Sequence, residues 1–422
     1  MGVRAGVVVT GTEVLTGRVA DRNGPWLADQ LRRVGVDIAD IVVVGDRPED
    51  LRDALAFLAG LDLIITTGGL GPTADDLTAE VVGQFQGRAS ALDVQLEVQI
   101  GGIVERLMVG RGWKTDSDAT AAATRKQAMV PEGASVLSPV GTAPGLVVPP
   151  AVGRAGPPVL VLPGPPRELQ GMWAAALADP LVAAALSGRE ELRQDTMRLW
   201  STPESELSAA LRRHSHELAG LEITTCLSDG ELEVVTRYAP AAQPAYERLT
   251  AALTGDFGPA LYSPDGRTVD RIVAQLLLER SWTIATTESC TAGLLAGRLT
   301  EQAGSSAYLL GGLVTYSNLA KHELAGVPLE LIDRVGAVSE EVAEAMASGA
   351  RWRLGADVGV GITGVAGPDG GTADKPVGLV HLYVVAPGQS LSRAVNLPGS
   401  RSDVRQRTVA IAMHMIRSVL SS

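Results

Sequence analysis

Cysteine is nearly absent from this chain. Its 422 residues hold 2, Cys226 and Cys290, far apart in sequence. No Cys/His ligand spacing accompanies them, so a structural zinc site is not expected. A basic excess is missing too. Acidic residues number 48 against 36 basic ones, for a net charge of −12. A nucleic-acid binder normally shows a basic face, so direct nucleic-acid contact is not expected. Nucleotides held locally by loops and helix ends stay open. No apolar run reaches membrane-spanning length; "WAAALADPLVAAAL" is broken by Asp179 and Pro180. The start "MGVRAGVVVT" lacks a signal-peptide shape, and Gly6 stands where a myristoylation site needs Ser or Thr. A soluble cytoplasmic protein with no membrane partner is the expectation. Fixed-period repeats and low-complexity segments are also missing.

What is present is a hydrophobic content of 45% over a length that suits two to four domains. Apolar runs alternate with helical patterns from the first residues. "VRAGVVVT", "VDIADIVVV" and "LDLIIT" read as buried strands. Asn23 and Pro25 open a helix to about Val34, and Pro48 opens another with Leu51, Leu55 and Leu58 on one face. "PVLVLPGPP" reads as a later strand with a helix from Arg167 to Ala176, and "PPAVGRAGPP" as a surface hairpin or loop. This alternation predicts an α/β fold with a parallel sheet covered on both faces. From about residue 178 the texture changes to short strands with helices at "ESELSAALRRH" and "PAYERLTAAL", a small α+β unit. His214 and His216 sit two apart there and would diverge on a helix, which disfavours a metal role. "LYSPDGRTVD" marks a boundary near 265. A third α/β unit follows. The predicted domains are 1–177, 178–264 and 265–422.

Polar and glycine motifs fall at the ends of the N-terminal strands. "TGTE", with Thr12 and Glu13, follows the first strand, and Gly45-Asp46 the second. "TTGGLGPTADDLT", with Gly68, Gly69, Gly71, Thr73, Asp75 and Asp76, follows the third; "PGPP", with Gly164, follows the last. Ligands of open α/β sheets bind outside the carboxyl ends of strands, so one shared site is expected. Glycines let the backbone approach phosphate, and paired carboxylates suit a divalent cation. The plain alternative makes Thr73 an N-cap, with Asp75 and Asp76 in the first helical turn.

A second constellation lies near the C-terminus. "TTESCTAG" puts Ser289 at a strand-to-helix turn, where a hydroxyl can sit beside unpaired N–H groups. The alternative is that Ser289 or Thr291 caps the helix. Cys290 is a rival nucleophile for which the sequence nominates no activating cation. "TYSNLAKHELAGV" brings Tyr316, Asn318 and Lys321 together at a loop-to-helix segment; Lys321 is either a base for the serine or a solvated helix lysine. "TGVAGPDGG", with Thr363, Gly364 and Gly367, is a glycine-rich loop after a strand. "GSRSDVRQR" offers Arg401 and Arg405, four apart on one helix face, as a phosphate clamp.

With these motifs in order, the chain resembles the CinA (competence/damage-inducible) family nearly end to end. "GTEVLTG", "TTGGLGPTADDLT", "RKQAMVPEGA", "GTAPG" and "LPGPPRE" are similar to its molybdopterin-binding-like domain. "ESCTAG", "TYSNLAK", "GAVSEEVA", "TGVAGPDGG" and "KPVG" are similar to its amidase domain. The resemblance implies a KH-like middle unit. It implies a bifunctional pyridine-nucleotide hydrolase. The C-terminal domain would deamidate nicotinamide mononucleotide, with Ser289 as nucleophile, Lys321 as base, Tyr316 as helper, and Thr291, Asn318, Thr363, Gly364, Gly367, Arg401 and Arg405 on the substrate. The N-terminal domain would cleave the pyrophosphate of ADP-ribose or related dinucleotides such as NAD(H). Asp46, Asp75 and Asp76 would hold Mg, Mn or Co, with Asp76 catalytic. Thr12, Glu13, the loop glycines, Thr73, Lys126 and Gly164 would contact the substrate. Where the family usually has Gly, Asn and Asn, this chain has Ala292, Thr124 and Ser138. The alternatives are a non-catalytic nucleotide- or pterin-binding N-terminal module, and a competence- or DNA-damage-related scaffold. A homodimer is the base expectation.

Overall fold

The computed structural model describes residues 2–111, 117–228 and 230–421. The chain forms two compact units, Met1–Gln194 and Asp195–Ser422.

In the first unit, β1 (Arg4–Thr10) leads through α1 (Thr12–Leu15) and α2 (Asn23–Arg33) to β2 (Asp37–Val44). Then α3 (Pro48–Leu58) leads to β3 (Leu63–Thr67) and α4 (Thr78–Gln86). A two-strand ladder, β4 (Ser90–Leu92) with β5 (Met129–Pro131), brackets α5 (Val94–Arg111) and α6 (Ser117–Gln127). The unit closes with β6 (Ser135–Leu137), β7 (Gly145–Val148), β8 (Val159–Leu162), α7 (Pro166–Ala178) and α8 (Pro180–Ala185). The main sheet runs β2-β1-β3-β8-β7-β6. β2, β1, β3 and β8 are parallel, while β7 pairs antiparallel with both β8 and β6, so "PPAVGRAGPP" is indeed a hairpin connection. Every residue of β3, β7 and β8 is buried, because helices cover both faces. Leu27, Leu31, Leu169 and Trp173 pack on one face; Leu51, Leu55, Leu58 and Val82 pack on the other. The chain leaves β1 toward β2, then crosses back to β3 on the other side. That reversal places a crevice at the carboxyl ends of β1 and β3.

The second unit begins with a small α+β layer. Its sheet is β10-β11-β9-β12, made from β9 (Arg193–Trp200), β10 (Leu221–Ser228), β11 (Glu231–Tyr238) and β12 (Leu261–Ser263). α9 (Glu204–Arg213) and α10 (Gln243–Phe257) cover it through Leu207, Leu249 and Leu253. As expected of diverging histidines, His214 turns to Asp256, at 3.1 Å.

The rest of the unit holds α11 (Val269–Arg280), β13 (Ile284–Glu288), α12 (Leu294–Leu299) and β14 (Leu309–Val314). α13 (Asn318–Ala325), α14 (Leu329–Val335), α15 (Glu340–Leu354), β15 (Val358–Gly364), β16 (Leu379–Ala386), β17 (Gln389–Asn396) and α16 (Arg401–Ser421) follow. The sheet order is β14-β13-β15-β16-β17, with β14, β13 and β15 parallel. Here too the chain reverses across its first strand, which puts a topological switch point at the carboxyl end of β13. The small layer grips α16. His414 stacks on Trp200 with ring centroids 3.8 Å apart and meets Glu231 through Nε2 at 2.8 Å. No helix among the described residues is long and apolar enough to cross a membrane.

Candidate active sites

The four loops predicted to share one edge do so. The N-terminal crevice is a cavity of about 700 Å³ whose walls include Glu13, Asp46, Gly68, Gly69, Gly71, Thr73, Asp75, Asp76 and Gly164. Gly68 makes the β3 loop possible. Its φ is +105°, and a Cβ there would stand 2.5 Å from the Thr10 carbonyl oxygen. Thr73 is not an N-cap. Helix α4 begins only at Thr78, with Leu77 before it and no side-chain cap, so Asp75 and Asp76 lie in the loop. The Thr73 hydroxyl donates to both carboxylates, at 2.6 Å for Asp76, and its N–H donates to Asp76 at 2.9 Å. The Thr73 hydroxyl is also the main reason the Asp75 carboxyl sits below the ordinary aspartate range.

Asp46 faces the cavity from the end of β2, accepting the Thr12 N–H at 2.9 Å. Thr12 thus braces Asp46 and does not line the cavity. Lys126 reaches the glycine loop from the neighbouring pocket and donates to the Thr73 carbonyl. Neither Thr124 nor Ser138 lines the cavity. Thr124 is buried in α6, and Ser138 is exposed.

Among the described residues no three acidic or His/Cys side chains form a ready-made metal cage. The donor set still suits a hard cation bound by one or two carboxylates together with substrate phosphate oxygens, which is how magnesium is usually held. Sequence reasoning missed Asn23, a buried wall residue. Its Nδ2 donates to Thr67 Oγ1 at 2.9 Å and to the Gly164 carbonyl at 2.7 Å, tying the β3 and β8 loops together.

At the end of β13 the turn containing Ser289 is pinned on both sides. The Ser289 N–H donates to the Ile362 carbonyl on β15 at 2.9 Å, and the Thr315 N–H donates to the Glu288 carbonyl at 2.8 Å. Lys321 is not solvated. It is 2% exposed, because α13 starts at Ser317, whose Oγ caps the Ala320 N–H, and this sets Lys321 in the first turn facing inward. Its Nζ lies 3.0 Å from Ser289 Oγ, 2.9 Å from the Thr315 carbonyl and 3.4 Å from the Tyr316 carbonyl. Burial lowers its pKa. The positive end of the α13 dipole also opposes a charge there.

Nζ donates to all three oxygens, the two carbonyls and Ser289 Oγ. In the neutral amine the carbonyls still take two N–H groups, and the lone pair faces the Ser289 hydroxyl.

The structure separates the other candidates. Cys290 is buried, and burial pushes its thiol up to about 11, so it is no thiolate at neutral pH. The Tyr316 side chain is exposed, and its hydroxyl accepts from Arg401 at 2.8 Å. Only its carbonyl approaches Lys321, so the helper role that the resemblance implies for Tyr316 has its hydroxyl on Arg401 and not on the lysine. Arg401 also donates to the Gly367 carbonyl at 2.8 Å. Arg405 donates to the carbonyls of Cys290 and Thr291, at 3.0 and 2.9 Å, bracing the nucleophile turn. Among the described residues the buried Thr291 hydroxyl has no partner. The Thr363 hydroxyl is spent on the Ala337 carbonyl at 2.7 Å, and Gly364 ends β15 beside it. Asn318 is exposed at the start of α13.

Glu288 was missed. It is 1% exposed and accepts from the N–H groups of Gly293, Leu295 and Ala296 at 3.0, 3.1 and 2.8 Å. It therefore fixes the turn and occupies the start of α12, where the sequence left N–H groups for an oxyanion. A glutamate ending the buried run "TIATTE" was the available signal.

Ala292 lies in the left-handed region, at φ 51°. An L-residue pays about 1–2 kcal/mol there, which is why glycine suits this position. Ala292→Gly is expected to stabilise the fold by up to about 1 kcal/mol, after the extra unfolded-chain entropy of glycine is subtracted. The urea midpoint should rise; a fall would contradict this.

Two sites at strand ends of an α/β fold, one a cavity lined by carboxylates and glycines and one a buried Ser–Lys pair, define the class. Residues 6–183 match the family described as "Probable molybdopterin binding domain", and residues 266–420 match the CinA C-terminal domain. The chain belongs to the CinA family. It is 57% identical to a CinA-like protein of Mycobacterium sp. (strain JLS), over 100% of this chain and 99% of that one. It is 52% identical to a CinA-like protein of Mycobacterium tuberculosis, over 100% and 98%. A solved structure, the competence/damage inducible protein CihA from Agrobacterium tumefaciens, is 41% identical, covering 36% of this chain and 96% of its own at a TM-score of 0.35.

Proposed function

We propose that the chain is a bifunctional pyridine-nucleotide hydrolase, and that its C-terminal site deamidates nicotinamide mononucleotide. The observation that carries this reading is the buried 3.0 Å approach of Lys321 Nζ to Ser289 Oγ. Ser289 Oγ attacks the carboxamide carbon and passes its proton to Lys321. The tetrahedral intermediate collapses as Lys321 returns the proton to the leaving nitrogen. Ammonia departs, and an ester remains on Ser289. Water then attacks the ester with Lys321 again as base, releasing nicotinate mononucleotide. Arg401, at the rim, meets the substrate phosphate. Arg401→Ala is expected to raise KM for nicotinamide mononucleotide about tenfold or more with a smaller change in kcat. Unchanged kinetics would remove the arginine from the site.

In the N-terminal site, Asp75 and Asp76, with Asp46 across the crevice, would hold a divalent cation. The cation would neutralise charge on the pyrophosphate of ADP-ribose or related dinucleotides such as NAD(H). The glycine loop offers main-chain contacts to the phosphates, and Asn23 keeps the β3 and β8 loops in register. Product analysis tests both halves. AMP should form from ADP-ribose only with divalent metal, whereas nicotinate mononucleotide and ammonia should form equally well in chelator. Binding of ADP-ribose without turnover in any metal would make the N-terminal domain a nucleotide-binding module instead.

A further inference from the structure

Glu168 is the carboxylate in the N-terminal crevice for which neither the fold nor the proposed chemistry has a use. It is the third residue of α7, which starts at Pro166 with Pro165 as N-cap. A glutamate at that position ordinarily reaches back to the N-cap N–H. Pro165 has no N–H, so the usual partner does not exist. Among the described residues the Glu168 side chain has no hydrogen bond or ion pair, yet it is half-buried in the cavity wall, and burial raises its pKa. Gly141 makes room for it: a Cβ at Gly141 would clash with the carboxylate. The crevice therefore holds a strong hydrogen-bond acceptor that lacks a donor.

Its place in the sheet says what that donor is. The glycine loop proposed to take the phosphates follows β3, β8 is the neighbouring strand, and Glu168 follows it in the first turn of α7, in the wall of the same cavity. A carboxylate sharing a cavity with a glycine-rich phosphate loop suits the vicinal hydroxyls of a ribose, as in other α/β nucleotide sites.

We propose that Glu168 is the ribose-reading residue of the N-terminal site, accepting from a sugar diol next to the bound pyrophosphate and excluding a phosphate at that position by charge. This rests on the pyrophosphatase reading of the crevice.

The test uses the full chain and three probes: ADP-ribose, its 2′-phosphorylated form on the adenosine side, and ADP-2-deoxyribose on the other side. Wild type is expected to disfavour one of the two modified probes in KM by about ten- to a hundredfold, the worth of a hydrogen bond to a charged group. Glu168→Gln should accept the 2′-phosphate better than wild type does if the adenosine ribose is the one read. Glu168→Ala should erase the discrimination on either side. Equal wild-type use of all three probes would overturn the assignment, as would discrimination that survives in Glu168→Ala. If no metal supports hydrolysis, calorimetric titration of the same probes reads Glu168 directly. No binding of any probe would sink the nucleotide reading itself, whereas binding indifferent to Glu168 would sink only this inference. Because the side chain has no partner in the fold, Glu168→Gln should leave the thermal midpoint unchanged.

Discussion

Lys321→Arg is expected to lower deamidation of nicotinamide mononucleotide by about 10²–10⁴-fold, the usual worth of a general base. The argument is one of charge state. A lysine with its ordinary pKa of about 10.4 is almost wholly charged at neutral pH and cannot take a proton. Here burial removes water from Nζ and lowers its pKa, while two carbonyls hold the amine in place. A guanidinium stays charged, so arginine keeps the cation and loses the base. Lys321→Ala should cost as much. Because the active form is the neutral amine, the wild-type rate should rise with pH and level off with an apparent pKa well below that of free lysine. Near wild-type amidase activity in Lys321→Arg would return the residue to a structural cation. Neither variant should alter ADP-ribose cleavage.

Asp76→Asn is expected to remove metal-dependent ADP-ribose cleavage and leave the amidase untouched. The substitution keeps the shape, and the amide oxygen still accepts from the Thr73 N–H and hydroxyl, so the loop can close as before. What it loses is the negative charge that, on the proposed reading, would hold a hard cation next to a pyrophosphate. Full pyrophosphatase activity in Asp76→Asn with unchanged metal dependence would exclude Asp76 from the metal site. A chelator that stopped the amidase and spared the pyrophosphatase would reverse the assignment of the two domains.

The strands that build both sites were legible, because buried parallel strands read as continuous Val/Ile/Leu runs. The sharing of one edge by four loops followed from where those runs end. The Ser289–Lys321 approach could be expected only from motif resemblance. Its members are 32 residues apart and meet because the β13 turn and the start of α13 converge. Leu319 and Leu324, the apolar neighbours that could have buried Lys321, are themselves exposed, and Nζ is met instead by Ser289 and Thr315 outside its helix.

The N-cap alternative for Thr73 stayed open in the sequence for a physical reason: a Thr followed by carboxylates suits both a capped helix and a self-bonded loop, and the structure shows the loop. Glu288 went unnoticed because its three N–H partners lie five to eight residues ahead, in a turn that folds back over the strand. The β4–β5 ladder has three-residue strands, too short for any alternation to register.

The most direct measurement is ammonia release from nicotinamide mononucleotide in excess chelator, comparing the intact chain with Ser289→Ala. The account predicts stoichiometric ammonia and nicotinate mononucleotide from the wild type, and only background from the variant. Ammonia release by Ser289→Ala at the wild-type rate, or loss of the wild-type reaction in chelator, would contradict it.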